Sequence, residues 1–466
     1  MMIRKSIVAQ GLLVAALILT TGLAQRAAAQ AQSSQPTYTI PEYNAFEAAN
    51  AEKDPSTQIK LLDDFVAKFP KSTLMPYVYE LYYPAYYKLK DYAKTIEYAD
   101  KVVALGDKVD ALVRLQAIQA RVLSFSQAFN AKAPDAHDQL VKQRDASDLG
   151  AKLLADLPKP AKQTTMTDAD WEKQKKPGLA LFYSAAGSAD IGLKDYAAAI
   201  PEFKSALTNN PNEAVNWYQM GVSYLQSTPP DYMDGFWSLA RAINLKIPGD
   251  AKVKDYLKKQ ILAYEQPGCD TSVDAQLNEL LQLAGTTGER PATYTIPSAA
   301  DLTKIRQASN ILSLISDLSA GGDKAKMTWL ALCNAQFPEV VGKIIDVTPG
   351  DGYVDFMVFT GATDDEIQKA TTANMDVRVE TAAPAGGATP AESAAPAASA
   401  TPGQTPAGPQ PDVLRLQKDD GIRFAGTVSS FDPNPFLLHW TDVKVDPTII
   451  PAKQEEGKHH RVSTKR

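Results

Sequence analysis

The residues that could do chemistry are few and scattered. The chain of 466 residues holds four histidines, His137, His439, His459 and His460, and two cysteines, Cys269 and Cys333. No histidine stands at metal-ligand or triad spacing from a second ligand or a nucleophile. The sequence contains no G-x-S-x-G, H-E-x-x-H, Walker loop or CxxC. The carboxylate runs Asp63-Asp64, Asp364-Asp365-Glu366 and Asp419-Asp420 read as helix-surface or turn charges. Gly350-Asp351-Gly352 and Asp419-Asp420-Gly421 read as hairpin turns rather than calcium loops. The expectation is a protein that is not an enzyme and needs no metal or cofactor. The two cysteines leave two readings open. They could pair, closing a loop worth roughly 4 kcal/mol in the chain-entropy picture, or Cys333 could be a buried apolar residue of a helix.

Composition narrows the partners. A net charge of −6 gives no general attraction to nucleic acid or anionic membrane. Residues 1–29 have the layout of a cleaved export signal: Arg4 and Lys5, an apolar run over residues 6–24, and Ala27-Ala28-Ala29 before Gln30. No later stretch is apolar enough to span a bilayer. The mature chain is expected to be periplasmic or secreted, from a bacterium with a Gram-negative type of envelope.

The elements that would position a binding surface show best between Ala180 and Leu245, where one pattern occurs twice. Tyr183 aligns with Trp217 and Gly187 with Gly221, each 34 residues apart. Ala199, Phe203, Ala206 and Pro211 complete the first copy, and Met220, Tyr224, Leu239 and Ala242 carry the second. Small residues at Gly187 and Gly221 let two helices approach closely, and Pro211 ends the second helix. The first copy has Asp190 where the second has Tyr224, and the second gains about one residue in its turn.

This pattern resembles the tetratricopeptide repeat (TPR), a helix-turn-helix unit of the same period. The resemblance implies a mainly α fold: a TPR-like α-solenoid over residues 37–265, clearest at 180–213 and 214–248. Family groove positions map onto Leu181, Ser184, Ser188 and Ile191 in the first copy, and Val215, Tyr218, Val222 and Leu225 in the second. That groove is apolar and small and lacks the Lys and Asn clamp some members use for a C-terminal carboxylate. It suits an extended apolar peptide or a helix of a protein partner.

Flanking hairpins match the pattern loosely. Eight of the 19 tyrosines lie between Tyr77 and Tyr98. Tyr79, Tyr82 and Tyr86 share one helix face and read as core. Tyr77, Tyr83 and Tyr87 lie off that face and are the candidates for exposure, so Tyr77 and Tyr87 join the proposed binding residues. Longer helices are expected at 109–129 and 137–157, then a charged loop at 159–177. A helix after the last repeat suits a capping role. The pentapeptide TYTIP, at 37–41 and again at 293–297, reads as a helix-entry device.

Residues 266–297 read as a connector and 298–336 as a helical segment. A small β-domain is expected over 337–447, interrupted by an Ala/Pro-rich insertion at 382–411 whose composition cannot bury a core. A charged tail follows at 448–466. The β-rich runs look like an OB-fold barrel, which brings nucleic acid or glycan binding to mind. Acidic residues outnumber basic ones about two to one across this region, which argues against nucleic acid. Phe424, Phe431, Phe436 and Trp440 could stack on a sugar, or form the barrel core. The expected function is therefore a protein-interaction scaffold, placed in cell-envelope assembly or maintenance. The alternative is envelope glycan or small-ligand binding by the β-domain, with the solenoid as a spacer.

Overall fold

The computed structural model describes residues 37–159, 166–265, 270–381 and 409–452. Expectations about the export signal, the Ala/Pro-rich insertion beyond its edges, Cys269 and the end of the tail fall outside them. The chain forms two compact units, Met1–Leu257 with Asn278–Tyr294, and Lys258–Leu277 with Thr295–Arg466.

The first unit is a succession of antiparallel helical hairpins. Its helices are α1 (Ile40–Ala51), α2 (Pro55–Lys68), α3 (Met75–Lys88), α4 (Tyr92–Val103), α5 (Ala111–Ala128), α6 (Ala136–Ala155), α7 (Asp168–Leu193), α8 (Tyr196–Asn209), α9 (Ala214–Gln226) and α10 (Tyr232–Asn244). Helices α11 (Asp250–Glu265) and α12 (Asp270–Thr286) follow. Local chemistry sets many of the starts. Asp54, Asp91, Asp110, Asp195 and Asp231 each cap the helix they precede by accepting an early backbone N–H. Thr39 of the first TYTIP forms a capping box with Glu42. In the second copy Ser298, just beyond the pentapeptide, takes that role with Asp301, so the two segments are not equivalent.

The repeat register holds in the packing. A Cβ on Gly187 would lie 2.9 Å from the Phe203 ring; one on Gly221 would lie 2.9 Å from Leu239 and 3.0 Å from the Gly235 carbonyl. Phe203 and Leu239 are fully buried. The second-helix positions are therefore Ala199 with Gly235 and Phe203 with Leu239, like the caps Asp195 and Asp231, so the second turn is longer by two residues rather than one.

Two expectations are corrected here. Residues 168–177 are not loop: α7 runs 26 residues through Pro177. The added turns brace the end of α6, with the Trp171 indole donating to Leu157 O at 3.1 Å and Lys175 to Ala155 O at 2.7 Å. The connector is also not a plain linker, because its second half belongs to the first unit. Asn244 donates to Leu281 O at 2.7 Å, Arg241 to Ala284 O at 2.8 Å, and Arg290 to Asp234 at 2.9 Å.

The second unit is built on a five-stranded closed barrel. The strands are β1 (Gln336–Pro349), β2 (Tyr353–Phe359), β3 (Met375–Glu380), β4 (Gly421–Pro433) and β5 (Phe436–Val445), ordered β1-β2-β3-β5-β4 around the barrel. All neighbours are antiparallel except β3 and β5, which are parallel and share three residue pairs. Gly342 is required where β1 meets β2, since a Cβ there would lie 2.6 Å from the Phe359 carbonyl. Helical segment 299–332 divides into α13 (Ala299–Ala308), α14 (Ile311–Ala320) and α15 (Gly322–Leu332). The segment breaks at Ser309, because Asn310 caps a new helix. Leu302, Leu314, Leu318 and Leu330 share one core with Val354, Phe356, Phe424 and Trp440, so these helices are part of the barrel domain. A short helix α16 (Asp364–Lys369) lies between β2 and β3.

Candidate partner-binding groove

The predicted groove residues separate into three environments. Leu225 is buried, and a Cβ on Gly235 would meet it at 2.7 Å, so it closes the α9–α10 hairpin and faces no ligand. Leu181 and Ile191 are half-buried and pack back onto neighbouring cores, Leu181 with the α5–α7 cluster and Ile191 with the α8–α9 cluster. Ser184 and Ser188 form a polar seam between α7 and α9. The Ser184 hydroxyl donates to Asn216 Oδ1 at 2.6 Å, and that of Ser188 donates to Ser184 O at 2.7 Å and reaches Gln219 Oε1 at 3.2 Å. Val215, Tyr218 and Val222 remain, on one face of α9 at i, i+3, i+7 and half-buried.

Tyr218 has a neighbour that the repeat pattern does not supply. Burial raises its phenol pKa, and Tyr256 of α11 is raised by burial and by Tyr218 beside it. The signal for Tyr256 was present: it lies just off the stripe Val253, Leu257 and Ile261, all buried. Of the predicted positions, Val215, Tyr218 and Val222 are the half-buried ones that share a face of α9, and Tyr256 of α11 lies near enough to Tyr218 for their charges to interact.

The tyrosine-rich hairpin forms a stack. Tyr82 and Tyr98 lie 4.1 Å apart between centroids, Tyr86 and Tyr98 5.5 Å, and Tyr79 and Tyr98 6.2 Å. The Tyr82 hydroxyl donates to Asp63 at 2.7 Å, and the Lys101 ammonium sits 4.1 Å from the Tyr98 centroid. Tyr83 is buried rather than exposed: it takes the place of the repeat glycine and packs with Ala99, Val102, Val113 and Ala117. Tyr77 and Tyr87 are half-buried. Tyr77 sits against Phe46 at 6.3 Å and Tyr87 against Tyr92 at 6.2 Å.

Acidic groups collect where α6, α7 and α8 meet. Asp190 is 2% exposed, and its Oδ1 and the Oε2 of Glu202 are buried without a hydrogen-bond partner. Burial pushes the Asp190 carboxyl up to about 6, and the nearby Asp195, Asp148 and Asp145 charges add to the rise against Arg144. Burial, with Asp148 and Asp190, pushes Glu202 up to about 7.

On the barrel, Phe424 and Trp440 are core residues, and Phe431 and Phe436 pack on that core beside Trp329. None is a free stacking platform. Arg378 lies 4.1 Å from the Tyr353 ring centroid and holds Asp355 with two bonds of 2.8 Å. His439 stands between Asp376 and Asp432, 3.0 Å from each. Although burial works against its charged form, the two aspartates raise its pKa above the ordinary value. Gly350-Asp351-Gly352 joins β1 to β2 as a turn, with Gly350 N donating to Tyr353 O at 2.9 Å and Gly352 at φ +82°. Among the described residues, no three His, Cys, Asp or Glu side chains converge to hold a metal, and no helix is long and apolar enough to cross a membrane. Cys333 is buried at the end of α15.

No family model matches the chain, and no curated protein matches it. Among solved structures, it is similar to the C-terminal part of a TPR repeat-containing protein from Cytophaga hutchinsonii, over 52% of this chain and 91% of that one, with 15% sequence identity and a TM-score of 0.23.

Proposed function

We propose that this chain is an exported, non-enzymatic interaction scaffold whose helical hairpins hold an extended apolar peptide or a helix of a protein partner. The observation that carries this reading is the half-buried row Val215, Tyr218 and Val222 on α9, with Tyr256 of α11 near Tyr218. Tyrosine offers large amphipathic area at small entropic cost, and an i, i+3, i+7 row is the register in which a helix face meets an extended or helical ligand. The layout of residues 1–29 supports export, and a role in envelope assembly or maintenance follows from export and scaffolding together. The barrel is OB-like in its five closed strands. Phe424 and Trp440 are core residues and Phe431 and Phe436 pack against that core, so these four aromatics do not support the glycan alternative.

The test places a photo-crosslinking residue at Tyr218 of the full chain, and at Tyr353 on the barrel, in intact cells. A discrete crosslinked protein from position 218, lost when Val222→Lys is added, is the expected result. Crosslinks from position 353 alone, unaffected by Val222→Lys, would overturn the groove.

A further inference from the structure

Asp190 is a buried acid with an unpartnered oxygen, and its neighbours leave it that way. From α6 it is faced by Arg144, Asp145 and Asp148, from the α7–α8 corner by Asp195, and from α8 by Glu202. Arg144, the nearby cation, is committed to Asp145 at 2.9 and 3.1 Å. The arginines of α5 are paired elsewhere, Arg114 with Asp107 at 2.8 Å and Arg121 with Asp100 at 2.7 Å. Helix α9 contains no charged side chain, and Lys204 of α8 bonds Tyr224 instead.

Two ways of satisfying such a cluster compete. A divalent cation needs several oxygens within about 2.6 Å of one point, and the described residues offer no such set. A proton needs neither an opening nor a ligand shell, and Asp190 Oδ1 and Glu202 Oε2 are closed to solvent. We propose that the α6–α7–α8 junction is a proton-operated joint. Protonated Asp190 and Glu202 keep the α7–α8 corner closed on α6. Once ionised, they repel each other and Asp148, and the corner loosens.

The direction of the pH effect follows from burial. Unfolded carboxyls titrate near 4, whereas Asp190 and Glu202 are pushed up to about 6 and about 7. The folded chain therefore holds more protons than the unfolded one between about 4 and 7, so the junction loses stability as pH rises through that window and does not regain it above. Nothing in the second copy does this, because Tyr224 occupies the corresponding position.

Hydrogen-exchange protection factors of the full chain test the joint, with α7–α8 amides read against α9–α10 amides as an internal reference. The expected ratio falls about tenfold or more between pH 5.5 and 8, since one displaced pKa unit is worth tenfold. The double variant Asp190→Asn, Glu202→Gln should hold that ratio level. A ratio already level in the wild type, or one that keeps its slope in the variant, overturns the proposal. If the variant does not fold, carboxyl-carbon NMR of the wild type decides: midpoints well above 4 for both residues support the joint, and midpoints near 4 overturn it.

Discussion

Hairpins α7–α8 and α9–α10 are two copies of one design, and they differ most where the second is aromatic and the first acidic. Both pack a glycine of the leading helix under one large side chain of the following helix, Gly187 under Phe203 and Gly221 under Leu239. Both cap the following helix with an aspartate, Asp195 or Asp231. Three residues beyond the glycine the copies part. Tyr224 is buried against Phe203, Leu207 and Met220, with its hydroxyl bonded by Lys204, while Asp190 faces the acids of α6 and α8. The close approach of two helices thus depends on a small residue meeting a large one, and tolerates either Phe or Leu as the large one. The next position answers to whichever neighbour it meets, and is free to change.

Writing the first copy into the second should have the largest effect. Tyr224→Asp removes a buried ring and leaves a carboxylate among apolar side chains. It should cost about 4 kcal/mol or more, read as a shift in urea midpoint at pH 7. Less than about 1 kcal/mol would mean that the α8–α9 core does not depend on the aromatic side chain.

The glycines should separate the copies next. Alanine at Gly221 meets Leu239 and the Gly235 backbone, which cannot rotate away, so Gly221→Ala should cost about 1–3 kcal/mol. Alanine at Gly187 meets only the Phe203 ring, and the helix-propensity gain of about 1 kcal/mol offsets part of the strain. Gly187→Ala should therefore be the milder of the two in the same unfolding measurement.

These glycines also show what was legible in the sequence. Gly, Ala and Pro at fixed spacing report backbone approach and helix ends directly, so the hairpin register could be read without coordinates. The start of α7 could not be, because Pro177 and the lysines around it look like loop. Lys175 is in fact 4% exposed, its ammonium held by Ala155 O and by Glu172 at 2.8 Å. Burial at the family positions was only half legible. Family positions place Leu225 and Ile191 on a ligand face, but each side chain turns to the nearest unfilled core, and a sequence does not show which neighbour leaves a gap.

The barrel supplies a control with a proton linkage of its own. His439, between Asp376 and Asp432, has a raised pKa and lies at the short parallel seam, where Asp376 is its cross-strand partner. Its stabilisation is full below about 6.5, the unfolded value, and is lost as pH rises through the higher folded value. His439→Gln should therefore cost about 1 kcal/mol at pH 6, a modest figure because Asp432 is largely exposed, and close to nothing at pH 9. The α7–α8 junction is expected to lose stability from about 4 upward, where His439 still makes its full contribution, so the two regions are told apart on the acid side of about 6.5. A His439→Gln chain with an unchanged slope above pH 6.5 would show that the seam does not depend on the imidazolium.

The smallest expected effect on stability carries the most about function. Positions 188 and 222 correspond across the two copies, yet Ser188 bonds sideways to α9 whereas Val222 lies on the half-buried face beside Tyr218. Lysine at 222 can lay its methylenes along α9 and lift its charge into water, so Val222→Lys should change stability by only about 0.5 kcal/mol. Its charge would nonetheless stand in the path of any apolar ligand crossing Tyr218 and Tyr256. Ser188→Ala serves as the matched control: it loses one seam hydrogen bond, worth about 1 kcal/mol, and leaves the α9 face untouched. If the groove is the binding surface, Val222→Lys abolishes crosslinking from position 218 while Ser188→Ala, the more destabilised chain, retains it. The reverse order would place the partner on the α7–α9 seam, and the first copy rather than the second would then carry recognition.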